Sequence, residues 1–197
     1  EREMIAEVIT VGNELLSGCI DDTNQTYISR RLAAIGIIPR YRTTVGDAVG
    51  DAVDALLRAG ERAGLVIVTG GLGPTADDIT IEAAARAFGL ELEVRPEIEA
   101  RIRKFFDMVN VPCTEGALRQ ARLPQGAEII RNPAGTAPGV KILRGGAVYI
   151  FLPGVPRELA SMLDSAIEGV AAAEGGGAIA SRSIRVFGVG ESNLEAM

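Results

Sequence analysis

Two adjacent carboxylates, Asp77 and Asp78, follow a glycine-rich segment in which residues 69–75 read TGGLGPT. Glycines let the backbone approach a phosphate closely, and the helix expected next would offer unpaired N–H groups. A divalent cation between phosphate and carboxylates explains the pair, and oxygen ligands suit Mg²⁺ or Mn²⁺. The alternative is that the glycines only make a tight turn, with Thr75 and Asp78 capping the helix. The predicted substrate-binding residues here are Gly70, Gly71, Leu72, Gly73 and Thr75, and the backbone of Gly70 to Gly73 is expected to hold the phosphate.

Polar residues also follow the first two predicted strands. Asp47 ends the second strand, and ligands of open α/β sheets gather outside the carboxyl ends of strands, so we predict it as a third metal ligand. A plain helix N-cap is the alternative for Asp47. The loop after the first strand contributes further predicted substrate-binding residues, and a surface turn is the alternative for Glu14. These residues are Gly12, Asn13, Glu14 and Asn24.

Two later loops complete the predicted site. Residues 132–139 read NPAGTAPG and residues 152–158 read LPGVPRE. The second loop is again a strand, a Gly/Pro turn and a helix N-terminus, which predicts another anion-binding end of the pocket. The alternative is a helix cap that a proline initiates. The predicted substrate-binding residues here are Asn132, Gly135, Thr136, Pro153, Gly154 and Pro156.

Composition excludes several kinds of chemistry. The 197 residues include no His, so imidazole general bases and His-containing zinc sites are excluded. The two cysteines have no CxxC spacing, and we expect a reduced, cytoplasmic chain. With 20 basic against 26 acidic residues and a net charge of -6, a nucleic-acid partner is not expected. No apolar run approaches the roughly 20 residues of a bilayer span, so we expect no membrane partner.

The elements that must position these residues alternate between strand and helix patterns, which predicts an α/β fold with a mostly parallel sheet. Predicted strands cover residues 4–11, 37–45 and 65–69, and predicted helices cover 47–63 and 77–88, with others starting at Asp22 or Thr23, Pro96 and Pro156. Residues 140–143 and 147–152 predict a hairpin that adds an antiparallel strand. We predict one domain over residues 1–173, a glycine-rich linker over 174–180, and over 181–197 the start of a second module or an arm docked on the first.

In this order the motifs resemble the N-terminal domain of the competence/damage-inducible CinA family, which has the molybdopterin-binding fold of molybdenum cofactor biosynthesis proteins. The resemblance covers about residues 4–170. It implies a three-layer α/β/α domain in which the glycine loop and the Pro-Gly loop flank one pocket. It also implies metal-dependent hydrolysis of ADP-ribose to AMP and ribose 5-phosphate. Asp78 matches the acidic residue of the molybdopterin enzymes' glycine loop, but Asp77 stands where they usually have Arg, which favours a metal-bound pyrophosphate over molybdopterin.

We therefore expect a hydrolase that needs Mg²⁺, Mn²⁺ or Co²⁺, in which Asp47, Asp77 and Asp78 hold the metal and orient or deprotonate its water. One alternative is a non-catalytic pterin- or nucleotide-binding module that regulates a partner or a C-terminal nicotinamide mononucleotide deamidase domain. Another is molybdopterin adenylyl transfer. The resemblance implies a small-molecule nucleotide as ligand and a homo-oligomer. Residues 181–197 resemble only the start of a KH-like module.

We also expect Gly71→Val to abolish nucleotide binding and leave the fold near native.

Overall fold

The computed structural model describes residues 4–173. The predicted linker over 174–180 and the predicted module over 181–197 lie outside the described residues. The strands are β1 Ala6–Val11, β2 Pro39–Val45, β3 Leu65–Thr69, β4 Leu92–Val94, β5 Arg122–Pro124, β6 Glu128–Ile130, β7 Gly139–Arg144 and β8 Ala147–Leu152. The helices are α1 Asn13–Leu16, α2 Thr23–Ala34, α3 Val49–Arg62, α4 Thr80–Phe88, α5 Pro96–Met108, α6 Glu115–Arg119 and α7 Pro156–Ala173.

Six strands form one sheet in the order β2-β1-β3-β8-β7-β6. The neighbours β2, β1, β3 and β8 are parallel, whereas β7 pairs antiparallel with β8 and β6 antiparallel with β7. The turn between β7 and β8 is Gly145-Gly146, and both glycines have positive φ, as the favoured two-residue hairpin turns require. The predicted mostly parallel sheet with an antiparallel hairpin strand is therefore confirmed.

Alternate strand residues pack on opposite faces of this sheet, so the domain has three layers. On one face Val66, Val68 and Phe151 pack with the buried residues of α3, α4, α5 and α6. On the other face Leu65 and Ile67 pack with the buried residues of α2 and α7. Because β3 is buried on both faces, its continuous apolar sequence follows directly from its central position.

Two features of the fold differ from the prediction. The helix after the glycine loop begins at Thr80 rather than near Asp77, because residues 76 and 77 form a turn. The antiparallel pair β4–β5, strand β6 and the short helices α1 and α6 were not predicted, because elements of three to five residues are too short to show a hydrophobic period. Over residues 4–173, no helix has the length and apolar character that crossing a bilayer requires.

Candidate active site

A cavity of about 510 Å³ lies at the carboxyl ends of the parallel strands. This volume lies within the range of small-molecule and cofactor sites, and the place is where open α/β sheets bind ligands. The structure brings fourteen of the predicted site residues together in its lining. They are Gly12, Glu14, Asn24, Asp47, Gly70, Gly71, Leu72, Gly73, Asp77, Asp78, Thr136, Pro153, Gly154 and Pro156.

Four predicted residues are not among those that line this cavity, and each instead contacts a residue that lines it. The Asn13 N–H donates a hydrogen bond to Asp47, and the Thr75 N–H donates one to Asp78. Thr75 also lines a smaller cavity of about 130 Å³, which shares part of the glycine loop. Asn132 is buried and donates a hydrogen bond to Glu158. A Cβ atom at Gly135 would overlap the Glu158 carboxylate, so a larger residue there would displace that carboxylate.

The glycine loop is held by hydrogen bonds at its first residue. The Gly70 N–H donates to the Leu152 carbonyl over 3.2 Å, and the Thr80 hydroxyl donates to the Gly70 carbonyl over 2.8 Å. Gly70 has a φ of 100°, and a Cβ there would overlap the Val11 carbonyl. The Gly70 N–H is therefore not available to a ligand.

The next three N–H groups of the loop differ from that of Gly70. Within residues 4–173, no group accepts a hydrogen bond from the N–H of Gly71, Leu72 or Gly73. All three residues line the cavity. Successive unpaired N–H groups form an anion-binding surface, so this part of the loop is suited to a phosphate.

The two neighbouring aspartates have different surroundings. Asp78 Oδ2 accepts hydrogen bonds from the Thr75 N–H at 2.8 Å and from the Thr75 hydroxyl at 2.7 Å. These contacts close a turn ahead of α4 rather than capping it, since that helix begins at Thr80 and Ile79 precedes it without a side-chain cap. Asp77 is exposed, and in the described part of the chain nothing donates a hydrogen bond to its carboxylate.

Asp47 is held by the loop after β1 and not by the helix that follows it. Its Oδ2 accepts from the Asn13 N–H at 3.2 Å, and its own N–H donates to Asn13 Oδ1 at 3.3 Å. The residue that precedes α3 is Ala48, which makes no side-chain cap. The N-cap alternative for Asp47 is therefore not what the structure has.

The Pro-Gly turn after β8 packs directly on the glycine loop. The buried Thr69 hydroxyl donates to the Pro153 carbonyl at 2.9 Å, and Asn24 Nδ2 donates to the Gly154 carbonyl at 2.6 Å. A Cβ at Gly154 would lie 3.1 Å from Gly70 Cα. A side chain at position 154 would therefore push the two loops apart.

Several residues that line the cavity were not predicted from the sequence. Among the polar ones, Glu158 lies in the first turn of α7, and Gln120 lies at the end of α6. Gln120 is buried, and its Nε2 donates to the Leu72 carbonyl at 3.3 Å. Glu158 is the last residue of the segment 152–158 that the sequence singles out, and this position was its only signal. Gln120 had none, because α6 itself was not predicted.

The lining is strongly acidic. It contains seven carboxylates, and no Lys or Arg is among the described residues that line it. Charges of one sign in a partly enclosed cavity attract counter-ions of the other sign. The seven are Glu14, Asp21, Asp22, Asp47, Asp77, Asp78 and Glu158.

Carboxylate oxygens are the right chemical type for Mg²⁺ or Mn²⁺. Among the residues that the structure describes, no group of three or more His, Cys, Asp or Glu side chains is arranged to hold an ion by itself. Since Mg²⁺ is usually bound by one or two carboxylates plus substrate phosphates, the lining fits a cation that arrives with a phosphorylated ligand.

Comparisons with known proteins agree with this fold. The model of the family described as "Probable molybdopterin binding domain" matches residues 7–172. The CinA structure of Thermoplasma acidophilum is 37% identical with a TM-score of 0.78, covering 85% of this chain and 98% of that one. The MoaB molybdopterin biosynthesis enzyme of Thermus thermophilus is 22% identical with a TM-score of 0.53, covering 85% of this chain and 91% of that one, which shows the shared fold alone.

Among curated relatives, a protein of Acetivibrio thermocellus named for competence-damage induction is 45% identical over 194 residues, which is 98% of this chain and 47% of the relative. The chain thus spans about half the length of the curated relatives it matches. The described residues share the fold of these solved structures. The chain belongs to the molybdopterin-binding-domain family and, within it, to the CinA-like proteins.

Proposed function

We propose that this chain hydrolyses the pyrophosphate of ADP-ribose or a related nucleotide, in a reaction that depends on a divalent cation, to AMP and a sugar phosphate. The observation that carries the proposal is the cavity lining of seven carboxylates with no described Lys or Arg. A pyrophosphate alone would be repelled by this lining, whereas a pyrophosphate that enters with Mg²⁺, Mn²⁺ or Co²⁺ would be attracted.

The residues of the chain take separate roles in this proposal. The unpaired N–H groups of Gly71, Leu72 and Gly73 bind the phosphate oxygens. Asp47 and Asp77 would hold the cation together with those oxygens, and Asp78 would contribute while it holds the loop through Thr75. When bound, the cation neutralises phosphate charge as a Lewis acid.

In the chemical step a water oxygen forms a bond to one phosphorus, and the bond from that phosphorus to the bridging oxygen breaks. The proton that leaves the water passes to a lining carboxylate. Asp77 is suited to orient this water and accept its proton, because it is exposed at the cavity and is not held by a described hydrogen-bond donor. The bridging oxygen stays with the departing phosphate, so each product carries one phosphate group.

The test is product analysis with the purified chain. ADP-ribose is incubated with Mg²⁺, Mn²⁺ or Co²⁺, and release of AMP is followed by chromatography with and without a chelator. We expect AMP with at least one metal and none after chelation. An absence of AMP with every metal at saturating ADP-ribose would overturn the hydrolase.

A second candidate is a module that binds a pterin or nucleotide without turnover, and the description of the matching family favours it. Calorimetry with a pterin and with AMP separates the two. Pterin binding without hydrolysis of any nucleotide would establish the binding module, and pyrophosphate release from ATP with molybdopterin would establish adenylyl transfer instead.

We also propose that the chain self-associates, which light scattering of the purified protein tests.

A further inference from the structure

Glu158, in the first turn of α7, presents a carboxylate that lines the cavity and that no predicted role uses. The buried Asn132, only 3% exposed, donates from Nδ2 to Glu158 Oε2 at 2.7 Å. Asn132 lies in the loop between β6 and β7, 26 positions before Glu158. One side-chain hydrogen bond therefore joins the β6–β7 loop to the first turn of α7 at the cavity wall.

The hydrogen bonds of Asn132 fix which way its amide points. Its Oδ1 accepts from the N–H groups of Ala134 at 2.9 Å and Gly135 at 3.0 Å. Its Nδ2 donates to the Ala137 carbonyl at 2.8 Å as well as to Glu158. Every hydrogen-bonding position of this amide is thus used, so Asn132 holds Glu158 in one place.

One oxygen of the Glu158 carboxylate remains available to a ligand. Oε2 is bound by Asn132, while in residues 4–173 no side chain or backbone group donates to Oε1. Gly135 lets the carboxylate lie against its loop, since a Cβ there would overlap Glu158. A carboxylate accepts hydrogen bonds and does not donate them, so the complementary ligand group is a donor.

A phosphate is the wrong group for this wall. The positive end of α7 already has a carboxylate in its first turn, and an anion there would face that charge. The Pro-Gly turn before α7 and the glycine loop follow neighbouring strands, since β8 pairs with β3, and paired strands are about 4.8 Å apart. The glycine loop and Glu158 line the same cavity, and a Cβ at Gly154, four residues before Glu158, would lie 3.1 Å from Gly70 Cα. A ligand whose phosphate binds Gly71–Gly73 can therefore present a donor group to Glu158.

We propose that Glu158 binds the vicinal hydroxyls of a ribose whose 5′-phosphate lies at the glycine loop, and that Asn132 is its positioning residue. This rests on the proposed function, which places a nucleotide in the cavity. A carboxylate that accepts from a ribose hydroxyl is the means by which dinucleotide-binding folds recognise ribose. The ribose hydroxyls lie closer to the 5′-phosphate than the amino group of the base does, which favours them as the donors.

The experiment compares ligands and variants by calorimetry in the presence of Mn²⁺. The ligands are AMP, 2′,3′-dideoxy-AMP and IMP, which lacks the amino group of adenine. The variant Glu158→Gln keeps an oxygen for Asn132 but turns a donor amide toward the ligand. Glu168→Gln is the matched control, because Glu168 is exposed on the same helix and does not line the cavity.

We expect wild type to bind AMP about tenfold more tightly than dideoxy-AMP, the size of a hydrogen bond to a charged group. This ratio falls to about threefold or less in Glu158→Gln, because a ribose hydroxyl can pair with a neutral amide but loses its hydrogen bond to a charged group. The ratio is unchanged in Glu168→Gln, and IMP behaves like AMP. The ratio also falls in Asn132→Ser, with no further fall in the double variant. If Asn132→Ser does not fold, the affinity ratio measured for Glu158→Gln still tests whether Glu158 binds the ribose.

Three results would overturn the inference: equal binding of AMP and dideoxy-AMP by wild type, loss of IMP binding in place of dideoxy-AMP binding, or a Glu158→Gln effect on Mn²⁺ affinity instead of ribose discrimination. If the chain hydrolyses ADP-ribose but binds AMP and dideoxy-AMP equally, only this inference is overturned. If Glu158 is needed to distinguish AMP from dideoxy-AMP but ADP-ribose is not hydrolysed, only the proposed hydrolase activity is overturned. A wild-type chain that binds no nucleotide would overturn both.

Discussion

Asn13 and Asp47 exchange two hydrogen bonds between the ends of neighbouring parallel strands. The Asn13 N–H donates to Asp47 Oδ2 at 3.2 Å, and the Asp47 N–H donates to Asn13 Oδ1 at 3.3 Å. Gly46 makes room for this pair, because a Cβ there would overlap Asn13 Oδ1. Asp47 is thereby oriented at the cavity by the loop after β1, while its second oxygen is left for a ligand.

This pair predicts that the charge of Asp47 serves the ligand and not the fold. In Asp47→Asn the side-chain carbonyl still accepts from Asn13, so the unfolding midpoint should stay within error. Hydrolysis of ADP-ribose should fall roughly a hundredfold, which corresponds to a few kcal/mol of lost charge stabilisation. The matched control is Asp54→Asn, an exposed position on α3 away from the cavity. If Asp47→Asn lowers the Tm but not the rate of ADP-ribose hydrolysis, Asp47 stabilises the fold and does not serve the reaction.

Asp77 and Asp78 should respond differently to loss of charge. We expect Asp77→Asn to lower Mn²⁺ affinity and hydrolysis with no change in Tm, because nothing described is bonded to this carboxylate. Asp78→Ala should also loosen the loop, since it removes the acceptor of both Thr75 donors. Asp78→Asn should restore part of the stability through its remaining oxygen. Rates and thermal melts across a metal titration measure both effects, and wild-type rates in both Asp→Asn variants would rule out this metal site.

Gly71→Val should destabilise the fold, contrary to the expectation from sequence that the loop tolerates bulk there. Gly71 has a φ of 65°, and a Cβ would overlap the hydroxyl of the buried Thr80. A β-branched residue in this region costs about 2 kcal/mol, which lowers Tm by roughly 4–8 °C for a domain of this size. The comparison is Gly50→Ala on α3, where a Cβ meets no atom within 4 Å and a higher Tm is expected. An unchanged Tm in Gly71→Val would show that the loop adapts.

Two ion pairs of equal length should differ in their value to stability. Arg62 forms a 2.7 Å pair with Glu7, which is fully buried in β1, and Arg31 forms a 2.7 Å pair with Asp164 at the surface. Removing Arg62 leaves a buried carboxylate whose remaining hydrogen-bond partner among residues 4–173 is the Thr43 hydroxyl, so Arg62→Ala should cost about 3 kcal/mol. Arg31→Ala should cost less than about 1 kcal/mol. Denaturant unfolding of both variants decides this, and equal costs would contradict it.

Much of the backbone could be read from local sequence. β3 matches its predicted range of residues 65–69, because a continuous apolar run followed by glycines is typical of a strand buried on both faces. Asp22 caps α2 as predicted, with its side chain accepting from the Gln25 N–H. The hairpin turn at Gly145-Gly146 follows from the positive φ that its geometry demands. Each of these signals acts within a few residues along the chain.

The site was predictable to the extent that it depends on the same local rules. The glycine loop, Asp47 and the Pro-Gly turn lie together because the carboxyl ends of parallel strands meet at one edge of the sheet. The roles of individual side chains were decided by tertiary contacts. Asp78 holds Thr75 instead of capping α4, and Glu158 joins the cavity through Asn132, 26 positions away. Sequence determined which elements form and which of their ends carry chemistry, whereas the tertiary structure chose each side chain's partner, because that choice depends on atoms that only folding brings within hydrogen-bonding distance.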